Sequence, residues 1–132
     1  NLKAPLFLSK VFYPELKKRK GVIINIIDIH VDPPLKNHII YSISKSGLLT
    51  LTKSLAKELS PHVRVNGISP GAILWPTTEK SSKRKKEIIS KVALKRPGKP
   101  EDIANAVKFL IQDGNYITGQ NINIDGGRKL NM

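Results

Sequence analysis

Apolar residues recur at helical spacing in the opening segment, where Leu2, Leu6, Val11 and Leu16 predict a helix over 2–16. Pro5 falls where a first helical turn tolerates proline. The run Lys17-Lys18-Arg19-Lys20 suits a helix C-terminus, where the backbone dipole favours cations, and Gly21 ends it. The pattern then changes to a short β-branched run, Val22-Ile23-Ile24-Asn25-Ile26-Ile27, which reads as a strand buried on both faces of a parallel sheet. Asp32-Pro33-Pro34 marks a loop. Ile43, Leu48, Leu51, Leu55 and Leu59 predict a long helix over 39–59, closed by Ser60-Pro61.

Val63 to Ile68 predicts a second strand, broken at Ser69-Pro70-Gly71. Thr77 to Lys86 is polar and basic, a loop or the start of a short helix reaching Val92. Pro100-Glu101-Asp102 opens another helix with proline and acids in its first turn, burying Ile103, Val107, Leu110 and Ile111. Asn121 to Ile124 is a last strand and Asp125-Gly126-Gly127 a turn. Helices alternating with three strands predict an α/β fold with a parallel sheet. Three strands leave an unpaired apolar edge, a liability that predicts further strands before the first one.

The length, 132 residues, fits one domain or a piece of one, and 39% hydrophobic against 25% charged residues suits a packed chain. Without cysteine there is no disulfide, thiolate nucleophile or thiolate-bound zinc. The longest apolar stretch, Val22 to Ile29, is interrupted by Asn25 and Asp28, so no membrane span is expected. No signal segment opens the chain, and a cytoplasmic location is expected. Asn1 in place of an initiator Met suggests an internal fragment or a processed product. The net charge of +13 would suit a nucleic acid or another anionic partner. However, 18 Lys against 5 Arg indicates loosely placed charge rather than aimed phosphate contacts, and 5% aromatics are too few for a stacking platform.

The chemistry centres on Tyr41-Ser42-Ile43-Ser44-Lys45 at the start of the long helix. Residues four apart share a helix face, and an ammonium beside a phenol should lower its pKa and make it a usable acid near neutrality. Asp28 ends the first strand and Pro70-Gly71 the second, at the level where parallel α/β folds bind ligands. His30, His38 and His62 have no metal-ligand spacing, and no metal is expected. His30 is placed to line a substrate mouth, and Lys80 to Lys86 reads as a solvated basic loop.

Tyr41-x-x-x-Lys45, Arg64-Val65-Asn66-Gly67-Ile68-Ser69-Pro70-Gly71, Glu101-Asp102-Ile103-Ala104 and Ile117-Thr118-Gly119-Gln120 through Asp125-Gly126-Gly127 together resemble the short-chain dehydrogenase/reductase family. The resemblance covers essentially the whole chain. It implies a doubly wound, Rossmann-type sheet, a nicotinamide cofactor and a homotetramer built on the helices 2–16 and 39–59. It also implies a catalytic set of Asn1, Asp28, Tyr41 and Lys45. In that set Tyr41 is the general acid, Lys45 holds the nicotinamide ribose and tunes the tyrosine, and Asn1 helps hold a relay water. Pro70, Gly71 and Ile73 would meet the nicotinamide.

Two departures qualify the resemblance. Most members carry Ser where Asp28 stands. Asp28-Ile29-His30 with Pro70-Gly71-Ala72-Ile73-Leu74-Trp75-Pro76 resembles the pteridine reductase subgroup, which implies NADPH and a pterin or dihydrofolate-type substrate. Asp28, with a pKa raised by burial, would protonate a ring nitrogen. Leu74 and Trp75 would border the substrate, Trp75 either covering a flat ring or simply packing. The alternative is a carbonyl reductase of 3-oxoacyl thioester type, and a more distant one a non-catalytic basic binding module. The second departure is that no Gly-x-Gly occurs, so the phosphate-cradling loop has no counterpart. Residues 1–132 are therefore expected to be the C-terminal part of one NAD(P)-binding reductase domain, inactive without its N-terminal half.

Overall fold

The computed structural model describes residues 1–75 and 81–132. Pro76, Thr77 and Lys80 of the stretches noted above lie outside the described residues. Helix α1 (Lys3–Lys18) leads into strand β1 (Val22–Ile26), helix α2 (Ile39–Leu59) and strand β2 (Arg64–Pro70). Helices α3 (Ser82–Ser90) and α4 (Pro100–Gln112) follow, then strand β3 (Asn121–Ile124) and a short 3-10 turn (Arg128–Asn131). The three strands are parallel in the order β1-β2-β3, with Ile24 opposite Asn66 and Gly67 opposite Asn121. This is the alternating α/β arrangement that the sequence pattern predicts.

The central strand is the most deeply buried element. Val65, Asn66, Ile68 and Ser69 have no exposed surface. Val65 packs with Val63 and Ala56, covered by Tyr13 and Leu16 of α1, Ile23 of β1, and Leu55 and Leu59 of α2. α1 and α2 therefore share one side of the sheet, while α4 packs on β2 and β3. Polar residues inside β2 are satisfied locally. Asn66 Nδ2 donates to Ile117 O at 2.8 Å, its Oδ1 accepts from the Gln120 N–H at 3.0 Å, and Val65 N–H donates to Thr118 Oγ1 at 3.1 Å. These bonds lock the approach to β3 against the side of β2, in keeping with the demand that buried polar groups be paired.

α4 is pinned at both ends. Asp102 accepts from the Lys99 N–H at 2.8 Å, satisfying a donor at the entry. At the exit, Arg64 Nη1 donates to Leu110 O at 2.8 Å, a carbonyl that the last turn leaves unpaired, and to Gly114 O just past the helix at 2.9 Å. Gly114 closes tightly over the helix end, where an added Cβ would lie 3.1 Å from Leu110 Cα.

Two expectations need correction. β1 is not buried on both faces: Ile26 is 44% exposed, because β2 is its one neighbour among the described strands and α1 covers it incompletely. Ile111 does not join the core with Leu110. It is 50% exposed, since the two stand on different sides of α4, and Ile103 and Val107 are half-buried. Of the two forms expected for the basic stretch, the residues after Ser81 take the helical one, which ends at Ser90 rather than Val92 and is started by Ser81 Oγ accepting the Arg84 N–H at 3.2 Å. No helix among the described residues is long and apolar enough to cross a membrane.

Arg64→Met should remove the α4 exit cap and lower folding stability by about 2 kcal/mol, since hydrogen bonds to charged groups are the stronger ones. Arg64→Lys should recover only part of it. Urea unfolding of the protein carrying this chain, with the slope unchanged, checks this.

Candidate active site

The site forms where β1 ends and α2 begins. Tyr41 stands near the start of α2 and its hydroxyl donates a short hydrogen bond to Asp28 Oδ2. The other carboxylate oxygen, Oδ1, accepts from the His30 N–H at 2.8 Å and lies 2.8 Å from His30 Nδ1. Asp28 also meets β2 through its backbone. Ser69 Oγ lies 3.1 Å from Asp28 O and 3.0 Å from Asn121 Oδ1, and its single proton serves one acceptor at a time. One hydroxyl therefore stands between the end of β1 and the start of β3.

Lys45, one turn after Tyr41, points along the same face. Its Nζ donates to Ile26 O at 2.8 Å and lies 5.9 Å from the centre of the Tyr41 ring. Of its three N–H donors, one is engaged in this bond. Asn1, Ile26 and Lys45 line a common groove of about 610 Å³ between α1 and the free edge of β1. The structure thus brings Asp28, Tyr41 and Lys45 into one cluster and sets Asn1 in the groove that Lys45 enters.

Pro70 and Gly71 end β2, next to β3. Gly71 N–H donates to Ile124 O at 3.0 Å, and a Cβ on Gly71 would sit 2.7 Å from Asp125 Cα, so this close approach requires glycine. Ile73 lines a second cavity of about 480 Å³ with Leu94, Gly98 and Asp125. Leu74 is 75% exposed. Trp75 is half-buried, with Lys85 Nζ 5.7 Å from its ring centre, and no hydrogen bond or ring contact among the described residues joins Leu74 or Trp75 to Asp28 or Tyr41. Lys85 therefore stands on a helix with its charge against an aromatic ring, and not in a solvated loop.

The electrostatics reverse two expectations. Burial pushes the Asp28 pKa up, but the hydrogen bonds from His30 and Tyr41 outweigh it and hold the group down at about 2. Tyr41 moves up rather than down, first by burial and then by donating to, and facing, the Asp28 carboxylate. The ammonium of Lys45 was expected to lower the phenol, but it is directed to a backbone carbonyl instead. Lys45 itself is lowered by burial, with Asp28 acting in the opposite sense. At neutral pH the site thus holds an ionised carboxylate and a fully protonated phenol. The sequence reading gave His30 only the substrate mouth; its role as the Asp28 partner follows from a two-residue turn that spacing alone does not reveal.

A three-stranded parallel sheet, with Tyr41 and Lys45 on the helix beside its carboxyl end, defines the class. The chain belongs to the short-chain dehydrogenase/reductase family. The sequence model of the family described as Enoyl-(Acyl carrier protein) reductase matches residues 1–129. The 3-oxoacyl-(acyl-carrier-protein) reductase FabG of Thermotoga maritima is 40% identical, aligned over 96% of this chain and 53% of its own length. Dehydrogenase/reductase SDR family member 4 of Homo sapiens is 39% identical over 96% of this chain and 48% of its own. An apo SCOR enzyme from Clostridium thermocellum superposes with a TM-score of 0.86 at 39% identity, covering 99% of this chain and 51% of that one. The chain spans about half the length of the curated relatives it matches. Relatives from Rickettsia felis and Chlamydia trachomatis, 40% and 41% identical, are likewise named 3-oxoacyl-(acyl-carrier-protein) reductase FabG.

Asp28 has a folded pKa of about 2 against an ordinary 3.8, so its ionised form stabilises the fold. That contribution is complete above about pH 4 and is lost as pH falls toward 2. Asp28→Asn should therefore flatten stability against pH across this interval. Denaturation of both proteins at stepwise acid pH measures it.

Proposed function

We propose that this chain forms the proton-transfer half of a nicotinamide-dependent short-chain reductase acting on a carbonyl group of the 3-oxoacyl thioester class. The observation that carries the reading is a Tyr41 hydroxyl kept protonated and aimed at the carboxyl end of β1, with Lys45 on the same helix face. Such a phenol holds a proton that it can give once a carbonyl oxygen displaces the Asp28 carboxylate, which helps to keep its pKa high. The relatives named as 3-oxoacyl reductases add support.

The residues fit the nicotinamide-ribose end of a cofactor. Lys45 keeps N–H donors beyond the one given to Ile26 O, which suits ribose hydroxyls, and the backbone around Ile73 lies past the Pro70-Gly71 turn. They do not supply a phosphate loop, so that end of the cofactor must be held outside this chain. NADPH is the cofactor we assign. When bound, it supplies the hydride to the carbonyl carbon and leaves oxidised. Tyr41 passes its hydroxyl proton to the carbonyl oxygen, giving the alcohol. The resulting phenolate, its ring centre 5.9 Å from a Lys45 ammonium that keeps N–H donors beyond the one given to Ile26 O, takes a proton back from solvent, a relay in which Asn1 shares the groove. Asp28 accepts the Tyr41 hydrogen bond before substrate arrives and gives it up when a carbonyl oxygen takes its place.

A second reading, pterin or dihydrofolate reduction, rests on one observation: an aspartate where most of the family has serine. Its difficulty is that a carboxyl with a pKa of about 2 carries no proton to donate at neutral pH. For either reading, α1 and α2 offer a homo-oligomer surface, since Phe7, Val11, Phe12, Ile40 and Ile43 are exposed. Tetramer formation would cover them.

In the full-length protein, Tyr41→Phe and Lys45→Met should each slow hydride transfer by roughly 100- to 10,000-fold. The double variant should be little slower, because the pair acts as a unit. Asp28→Ser should keep or raise reduction of a 3-oxoacyl thioester. Loss of that activity, with loss of dihydropterin reduction in Asp28→Asn as well, would favour the pterin reading. Light scattering at micromolar concentration should show a tetramer, and a monomer would remove the proposed surface.

A further inference from the structure

His30 meets Asp28 twice. Its backbone N–H and its ring Nδ1 each lie 2.8 Å from one carboxylate oxygen, Oδ1, which leaves Oδ2 to the Tyr41 hydroxyl. The loop that carries the two residues is fixed on three sides. Ser69 Oγ of β2 stands 3.1 Å from Asp28 O, Ile29 between them is fully buried, and Ser46 Oγ of α2 donates to Val31 O at 3.4 Å. The side chains of His30 and Asp28 are only 15% and 21% exposed, so water competes little for these bonds.

This arrangement fixes a proton. An ionised carboxylate can only accept, so the hydrogen between Oδ1 and the ring belongs to Nδ1. It also fixes a rotation. With two donors on Oδ1, the carboxylate cannot swap its oxygens without giving up both, and Oδ2 stays on Tyr41. Hydrogen bonds to the charged form make Asp28 less basic, and a less basic acceptor holds the phenol less tightly. Tyr41 has to leave Oδ2 for a substrate oxygen. A carboxylate anchored on His30 neither follows the hydroxyl nor keeps it back.

We propose that His30 is a positioning residue for proton transfer: its two donors clamp the Asp28 carboxylate in the orientation that presents the Tyr41 hydroxyl, and they moderate the hold on that hydroxyl so that a substrate oxygen can take it. This assignment rests on the reductase reading above and adds a residue to its machinery. No proton passes through His30, which keeps its Nδ1 hydrogen throughout. The bond that breaks is the Tyr41 O–H, and the one that forms is on the substrate oxygen.

The test uses the full-length holoenzyme with the N-acetylcysteamine thioester of 3-oxobutanoate as substrate. His30→Leu should lower kcat/KM by roughly 10- to 100-fold, mainly through kcat, because the bond from Tyr41 to the substrate oxygen is fully made only as the proton moves. His30→Asn, whose amide nitrogen falls where Nδ1 stands, should recover most of the rate. His30→Gln, whose amide nitrogen falls where Nε2 stands, should not, and it replaces the leucine variant should that one fail to fold. In an Asp28→Ser background, His30→Leu should change the rate by no more than about twofold, since no carboxylate is left to clamp. A histidine that merely supports the loop would cost the same in both backgrounds. That result, or full activity in His30→Leu, overturns the proposal. An inactive Asp28→Ser points to the pterin reading, where the same leucine, asparagine and glutamine series is read on a dihydropterin. Nitrogen NMR of labelled His30 in the full-length protein gives a readout without turnover: a hydrogen on Nδ1 supports the clamp, and a ring with its hydrogen on Nε2 alone rejects it. If wild type reduces neither substrate, the reductase reading falls, and the ring tautomer then decides for or against the clamp.

Discussion

The hydrogen bond from the Tyr41 phenol to the Asp28 carboxylate organises the rest of the crevice. It needs β1 to end where α2 begins, and it sets the charge state of both groups. Because Asp28 accepts from Tyr41 and His30 together, it stays ionised in spite of burial. Burial first, and then the ionised carboxylate, push the phenol further above neutrality. A serine at the same place would accept one hydrogen bond without imposing a negative charge. The identity of a single strand-end residue therefore decides how readily the tyrosine ionises.

Much of the fold was legible in the residues. The α2 bounds, 39–59, and the β3 bounds, 121–124, follow directly from apolar periodicity and from the turn residues that flank them. The Tyr41–Lys45 face was legible because helical spacing fixes it. What was not legible depends on contacts distant in sequence. Arg64 as the cap of α4 reaches across forty-six residues to Leu110, and no local pattern announces it. The pKa directions failed for a similar reason. The sequence placed a cation beside Tyr41 but could not show that its ammonium is directed at Ile26 O, or that Asp28 is the nearer partner. The exposure of Ile26 and Ile111 depends on which neighbours cover them, and periodicity alone does not say that.

The ends of the three strands are tied by polar side chains rather than by apolar packing. Ser69 touches both Asp28 O and Asn121 Oδ1, and Asn66 fixes the loop that delivers β3. Interior polar bonds of this kind are demanding in geometry, and they favour one relative height of the strands over a slipped one. The site residues sit at those ends, so the placement of Asp28 relative to Gly71 depends on that register.

Lys45 also bears on how the sheet can grow. In a parallel strand, successive backbone groups alternate between the two flanks. Gly21 O and the Ile27 N–H face β2, which turns the carbonyl of Ile26 outward, and there the ammonium already holds it. Val22 and Ile24 remain open on that flank by the same alternation. The lysine thus works as a register stop: a neighbouring strand can pair along the first part of β1 but must part from it before the last outward carbonyl. A gap is thereby reserved beside the end of β1 by the same side chain that stands 5.9 Å from the tyrosine ring.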